Sequence, residues 1–326
     1  MARNRFHPGP VTDHFDGRRF FNPGSNVTDK SLLDILRWRR TSRPSPWPAR
    51  VDIEPAVPDR RAGDARVTIV GHATVLIQVR DVNIVTDPLW SERASPVGFA
   101  GPKRVSPPGI AFDDLPAIDV VLLSHNHYDH LDIATLRRLV ERDQPLIITP
   151  LGNDRTVKAA IPRAKVHAGD WWDGHRVNDA VDVTILPALH WSARGLGDRR
   201  KALWGGFAIR SAGHLIYFAG DTAYGDGRIF REIRQKLGRP DVALLPIGAY
   251  APRWFMEPVH ADPGEAVSIM QDLEAARAIG IHWGVFRLSD EGRDEPRTAL
   301  VAALTERNLP CERFLAAEPG YVWQEG

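Results

Sequence analysis

The chain has 326 residues, enough for one large domain or two small ones and enough to bury a sizeable core. Its 42 basic and 41 acidic residues leave a formal net charge of +1, so no global field draws it to nucleic acid. Its one cysteine, Cys311, excludes an intrachain disulfide and a metal site built on thiolates, and no apolar run approaches the roughly 18 residues of a membrane span.

The opening residues, MARNRFHPGPVTDHFDG, lack the apolar core of a secretory signal, so the cytoplasm is the expected location. Residues 1–65 are rich in Pro, Arg and Asp and carry little strand signal; they read as an extension packed on a main domain over 66–326. Within the extension, Ser31 to Arg40 predicts a short helix, with Ser31 as N-cap and Asp34 completing a capping box. Leu32, Leu33 and Leu36 share one face of it and Arg37, Arg39 and Arg40 flank Trp38. Packing of the leucines on the core is the favoured reading, and contact with a lipid interface the alternative. Three prolines in TSRPSPWPAR then break the helix.

From Arg66, RVTIVGHATVLIQV and VNIVTD predict a hairpin turning near Arg80 and Asp81. DVVLLS is a continuous apolar run, as in a strand covered on both faces. A helix follows over Asp132 to Arg142, then strands at LIITP and VDVTILPALH. WGGFAIR and HLIYFAGD form a second strand pair around Ser211, Ala212 and Gly213. DVALLPIG predicts a strand, PGEAVSIMQDLEA a helix and ARAIGIHWG a strand. The order hairpin, buried strand, helix, strand occurs twice, which predicts an α/β fold of two similar halves with a site between them.

The sharpest local feature is DVVLLSHNHYDHLD. An apolar strand ends at Ser124 and releases His125, His127, Asp129 and His130 into one loop. Ligands at the end of a buried strand have a rigid base and reach a cleft. Imidazole with carboxylate suits zinc, and also iron or manganese. Further on, His190 follows VTILPAL, Asp221 follows LIYFAG and His282 follows ARAIGI, each a ligand-type residue after an apolar run.

This order of HxHxDH, lone His, Asp in AGDT and last His resembles the metallo-β-lactamase superfamily. GHATVLIQV, TDPLWSERASPVGFAGPKR, LLSHNHYDHLD, LWGGF, FAGDTAYG, PIGAYAPRWFM, HADPGEAV and IHWGVF resemble its N-acyl-phosphatidylethanolamine phospholipase D branch. FFNPGSNV and LLDILRW resemble that branch's N-terminal part, so the likeness runs from about Phe20 to about Trp323. It implies a four-layer αββα sandwich with an N-terminal extension, and makes 66–326 a metallo-β-lactamase-like hydrolase domain. It implies two metals per chain, usually zinc: His125, His127 and His190 on one, Asp129, His130 and His282 on the other, Asp221 bridging. The expected chemistry is hydrolysis of a phosphodiester in N-acyl phosphatidylethanolamine or a related phospholipid, with a hydroxide between the metals as nucleophile. Asp129, Asp221 and His260 are the expected catalytic residues.

The family has a His near the substrate phosphate where this chain has His260, and its mammalian member has Gln where this chain has Val259. Tyr250 and Arg253 are candidates for the mouth of the site alongside His260. His72 and Asp87 are expected behind the ligands, orienting them. His7, His14, His167, His175 and His214 read as structural or surface residues. The rival enzymatic reading is a lactone or small-molecule phosphodiester hydrolase, which calls for a narrower and more polar pocket near Trp254, Phe255 and Met256 than a lipid does. A non-catalytic metal-binding scaffold is the rival from another class. The partners expected are a phospholipid or small ester substrate, a membrane surface met peripherally and a second copy in a homodimer, with no nucleic acid.

Overall fold

The run DVVLLS lies in the middle of a sheet that is buried on both faces, and that placement explains its lack of polar alternation. The structure is a computed structural model and describes residues 4–24, 29–195, 197–211 and 213–324. Ser25, Asn26 and Val27 of the family-like stretch, and Ala212 of the expected strand turn, lie outside the described residues.

The first half contributes β1 (Arg66–Gly71), β2 (Thr74–Val79), β3 (Val82–Thr86), β4 (Val120–Leu122), β5 (Leu146–Pro150) and β6 (Lys165–Gly169). The second contributes β7 (Gly174–Arg176), β8 (Val181–Leu186), β9 (Gly206–Ser211), β10 (His214–Phe218), β11 (Val242–Pro246), β12 (Arg277–Ile281) and β13 (Phe314–Leu315). The last strand, β14 (Val322–Gln324), returns to pair antiparallel with β1. The sheet orders are β14-β1-β2-β3-β4-β5-β6 and β13-β12-β11-β10-β9-β8-β7. In each sheet three antiparallel pairings are followed by three parallel ones, so the two halves repeat one plan.

Three apolar clusters define four layers. Val67, Ile77, Ile84 and Leu122 of the first sheet meet Val183, Phe207, Phe218 and Leu244 of the second between the sheets. The outer face of the first sheet packs under α2 (Ile133–Arg142) and α3 (Asn153–Ala160) through Leu136, Leu139 and Val157. The outer face of the second packs under α4 (Arg228–Leu237), α6 (Pro263–Asp272) and α7 (Glu295–Glu306) through Phe230, Val267 and Leu300. The fold is therefore the expected αββα sandwich. Between α4 and α6 in the chain lies the short α5 (Arg253–Met256).

Helix α1 (Leu32–Thr41) forms with the expected capping box: Ser31 Oγ accepts from Asp34 N, and Asp34 accepts from Ser31 N. The favoured reading of its leucines is corrected. Leu32, Leu33 and Leu36 are 79%, 76% and 53% exposed, and α1 buries no residue fully. The helix is held from its other side, by Trp38 Nε1 and Ser42 Oγ donating to Asp290 and by Trp38 packing on Phe255.

Two further expectations change. RVTIVGHATVLIQV is two strands, because Gly71 and His72 take positive φ and turn the chain there; the expected turn at Arg80–Asp81 is also present and joins β2 to β3, with Val79 opposite Val82. Helices α3, α4 and α7 and the short strands β6, β7, β13 and β14 were not expected; the strands are too short to show a period, whereas α4 carries a helical apolar stripe with Phe230 and Ile233 buried three residues apart. The N-terminal extension packs on the body through Phe15 and Phe20, which are buried against Leu203 and Trp204.

Candidate metal centre

The parallel arrangement brings the ends of β1, β3, β4, β8, β10 and β12 to one rim of the sandwich. His72 follows β1, Asp87 follows β3, the loop from His125 to His130 follows β4, His190 follows β8, Asp221 follows β10 and His282 follows β12. The two sheets are tied together there: His282 N donates to the His72 carbonyl at 2.8 Å. His72, Asp87 and His282 all have positive φ, a conformation costly for side chains with a Cβ and one that tertiary packing has to impose. Gly220, at φ +60°, delivers Asp221; a Cβ there would stand 2.8 Å from that of Ser124.

Ligand-type atoms gather in two groups. His125, His127, His190 and Asp221 form one; His72, Asp129, His130 and His282 form the other. Asp221 lies between them, with Oδ2 3.1 Å from His130 Nε2 and 3.5 Å from His190 Nε2, and Oδ1 3.2 Å from His282 Nε2. His260 joins Asp221 and His282 in a third, overlapping group. The seven residues expected as ligands are thus brought together.

The donor set fits divalent ions. His125 Nε2 lies 2.9 Å and His190 Nε2 3.3 Å from His127 Nδ1. Two nitrogens each about 2.0 Å from one tetrahedral ion stand about 3.3 Å apart. Burial pushes the imidazole of His127 down to about 3, with nearby His190 adding to it, and burial holds those of His125 and His190 below their ordinary value. These rings are therefore neutral at pH 7, and their lone pairs converge unless a cation lies among them. His127 Nε2 and His260 Nδ1 are buried without hydrogen-bond partners.

The carboxylates complete the balance. Burial raises Asp129 and Asp221, but His130 together with His282 and the other neighbouring rings outweighs it and holds both well below the usual carboxylate range. For His130, burial opposes charge, yet Asp221, Asp129 and Asp87 together draw a proton to the ring well above its ordinary value. A metal ion placed there would take over that proton's role.

Partners behind the rim fix the rings. Asp87 Oδ2 accepts from His130 Nδ1 at 2.7 Å, and both its oxygens accept from Ser124. His190 Nδ1 donates to the Val259 carbonyl at 2.8 Å, which leaves Nε2 facing the cluster. Asn22 of the extension donates to the His190 carbonyl and accepts from Trp204. His72 Nε2 lies 3.2 Å from Asp129 Oδ2 and close to His130 and His282.

The rim opens into a cleft of about 390 Å³. His127, Asp129, Asp221, His260 and His282 form its floor, and Ile35, Trp38, Trp191, Phe255, Met256, Val259 and Leu288 make most of its wall. Trp191 stands edge-on to His127 with ring centroids 4.5 Å apart. Lys30 and Arg199 line the cleft as cations. Phe255 and Met256 line it as expected, while Trp254 is outside it.

Tyr250 and Arg253 are not brought to the cleft wall. The Tyr250 hydroxyl donates to Glu295, and Arg253 donates to the His260 carbonyl and to Glu265. Arg199, Lys30 and Trp191 take that position, and sequence reasoning missed them. The Arg lies in a run of polar residues that reads as solvated surface, and the Lys belongs to a distant extension. Only the HW pair beside His190 carried a signal.

A beta-lactamase superfamily domain matches residues 82–283. Over 267 residues the chain is 39% identical to N-acyl-phosphatidylethanolamine-hydrolyzing phospholipase D 1 of Caenorhabditis elegans, covering 79% of this chain and 75% of that one. It is 38% identical over 238 residues to the mitochondrial N-acyl-phosphatidylethanolamine-hydrolyzing phospholipase D of Saccharomyces cerevisiae, covering 72% of this chain and 50% of that one. Among solved structures, a metallo-hydrolase of Ignicoccus hospitalis superposes with a TM-score of 0.58 at 20% identity, over 80% of this chain and 98% of that one.

Proposed function

Because the chain belongs to the metallo-β-lactamase superfamily, in the branch of the N-acyl-phosphatidylethanolamine-hydrolysing phospholipases D, we propose that it is a metal-dependent phosphodiesterase of phospholipase D type. Its substrate is N-acyl phosphatidylethanolamine or a related phospholipid, cleaved to an N-acylethanolamine and phosphatidate. One observation carries this reading: two imidazole–carboxylate groups that share Asp221 form the floor of a cleft with an apolar wall and two cations.

His125, His127 and His190 would hold one ion and Asp129, His130 and His282 the other, with Asp221 available to either. Two such ions, zinc being best suited to this donor set, supply Lewis acidity toward phosphoryl oxygens and a water that ionises near neutral pH. The chain's own residues do the rest. Asp87 and Val259 fix the rings of His130 and His190. His260 lies on the floor of the cleft, positioned to donate to a phosphoryl oxygen. Lys30 offsets the charge of the phosphate, beside Arg199, whose Nε pairs with Asp29 at 2.9 Å. Ile35, Trp38, Phe255, Met256 and Val259 accept acyl chain and keep water from it. Val259 gives the wall an apolar face where the family's mammalian member has a polar one.

The exposed leucines of α1, beside the lining residues Ile35 and Trp38, support a peripheral contact with membrane at the mouth of the cleft. Among the described residues no helix is long and apolar enough to cross a membrane.

The test is metal content of the purified protein, then hydrolysis of N-acyl phosphatidylethanolamine and of a generic phosphodiester, before and after chelation. About two zinc per chain and chelator-sensitive release of N-acylethanolamine are expected. Two metals without lipid cleavage would discard the substrate and turn attention to lactones and small phosphodiesters.

A further inference from the structure

Arg194 lies in the loop after His190, and its side chain reaches back under the loop that follows β4. Its guanidinium donates to the carbonyls of Asn126 at 3.0 Å and Leu131 at 2.8 Å, with a longer contact of 3.5 Å to that of His127. It also lies over the ring of Tyr128, 4.0 Å from the centroid. Tyr128 returns the contact: its hydroxyl donates to the Arg194 carbonyl at 2.9 Å. Asp198 fixes the far side by accepting from the backbone N–H of Arg194 and of Gly195. Among the described residues no carboxylate forms an ion pair with this guanidinium, so its hydrogen bonds are spent on the loop.

We propose that Arg194 is a positioning residue, a clamp that holds residues 126–131 in the one arrangement that aims His127, Asp129 and His130 at the metals. The inference rests on the metal reading given above. The loop carries four ligands within six residues, and a turn that short has no sheet hydrogen bonds to fix it beyond His125. One guanidinium nitrogen, Nη1, donates to carbonyls at both ends of the turn, and the Tyr128 ring lies against the guanidinium; together they supply that constraint. A lysine could bring the charge and a donor but not the flat face that lies on the Tyr128 ring.

The experiment compares Arg194→Met, Arg194→Lys and Tyr128→Phe with the native chain. Zinc affinity is measured by competition with a chromogenic chelator, kcat and KM on a phosphodiester, and the unfolding midpoint of metal-free protein. Zinc affinity should fall about 10- to 100-fold in Arg194→Met, less in Arg194→Lys and least in Tyr128→Phe. The kcat should fall with it, KM should stay within about threefold, and the metal-free midpoints should stay close together. A role confined to stability would lower the metal-free midpoint and leave affinity alone. Zinc affinity within about threefold of native in Arg194→Met overturns the clamp. If that variant does not fold, Arg194→Lys and Tyr128→Phe carry the test, and native affinity in both overturns it. A native chain that binds no metal overturns the underlying reading instead.

Discussion

His130 Nδ1 lies 2.7 Å from Asp87 Oδ2, and solvent reaches neither side chain. The same carboxylate accepts from the backbone and hydroxyl of Ser124, so three donors converge on two oxygens. Burial alone raises Asp87, and nearby His130 draws it back.

An Asp87→Asn substitution places an amide N–H against one of those donors. The ring of His130 then loses its orientation, and zinc affinity should fall about 10- to 100-fold with the fold retained. Chelator competition reads this directly; an affinity within threefold of native would mean that Asp87 does not orient the ligand.

Asp221 touches residues of both ligand groups, so its loss removes charge from each. Asp221→Ala and His127→Ala should each lower kcat/KM by at least about a thousandfold, some 4 kcal/mol of transition-state stabilisation. Near-native turnover in metal-stripped Asp221→Ala would sink the two-metal scheme.

His14 gives a pH dependence far from the metals. It is buried against the stacked ring of Trp171, between Asp13 at 2.5 Å and Asp170 at 2.7 Å. Burial disfavours its charge, but the hydrogen bonds to Asp170 and Asp13 prevail and raise it above its ordinary value. Burial likewise raises Asp170, and the bond and charge of His14 together with the Trp171 backbone N–H prevail and lower it. The His14 contribution is therefore full below about pH 6.5 and is lost as pH rises through the raised folded value. The Asp170 contribution is present above about pH 3.9 and is lost as pH falls through its lowered folded value. Proteolysis of the N-terminal segment should speed up between pH 6 and pH 9 in the native chain. In His14→Gln the rate should be high at both; an unchanged pH profile in that variant would show that another group anchors the segment.

Replacing Leu32, Leu33 and Leu36 by Ser should leave stability within about 0.5 kcal/mol, because the three are exposed. Sedimentation with anionic vesicles at low salt should drop several-fold, as should hydrolysis of vesicle-borne lipid, while turnover of a short-chain soluble phosphodiester is unchanged. Native chain that fails to sediment with such vesicles would remove the membrane contact.

The residues proposed as ligands were legible because the HxHxDH loop, His190, Asp221 and His282 each follow an apolar run. A strand buried on both faces must be apolar throughout, so a His or Asp at its end stands out, and HxHxDH spaces four of them within one turn. The two-halves plan was legible for the same reason: strand pairs and continuous runs differ in pattern, and the pairing of the sheets repeats their order. The edge strands β6, β7, β13 and β14 were not, because they span only two to five residues, whereas the apolar stripe of α4 was there to be read.

The sequence by itself determined the donor set, its order along the chain and the layers that carry it, since those depend on residue type and on periodicity. Only the tertiary structure decided what surrounds the donors. It turned Tyr250 and Arg253 to Glu295 and Glu265, brought Lys30 and Arg199 to the cleft from separate segments, left the leucines of α1 outside and set Arg194 beneath the ligand loop. A long polar side chain can reach several partners from one position, and which it meets depends on segments far away in the chain, so no local pattern encodes the choice.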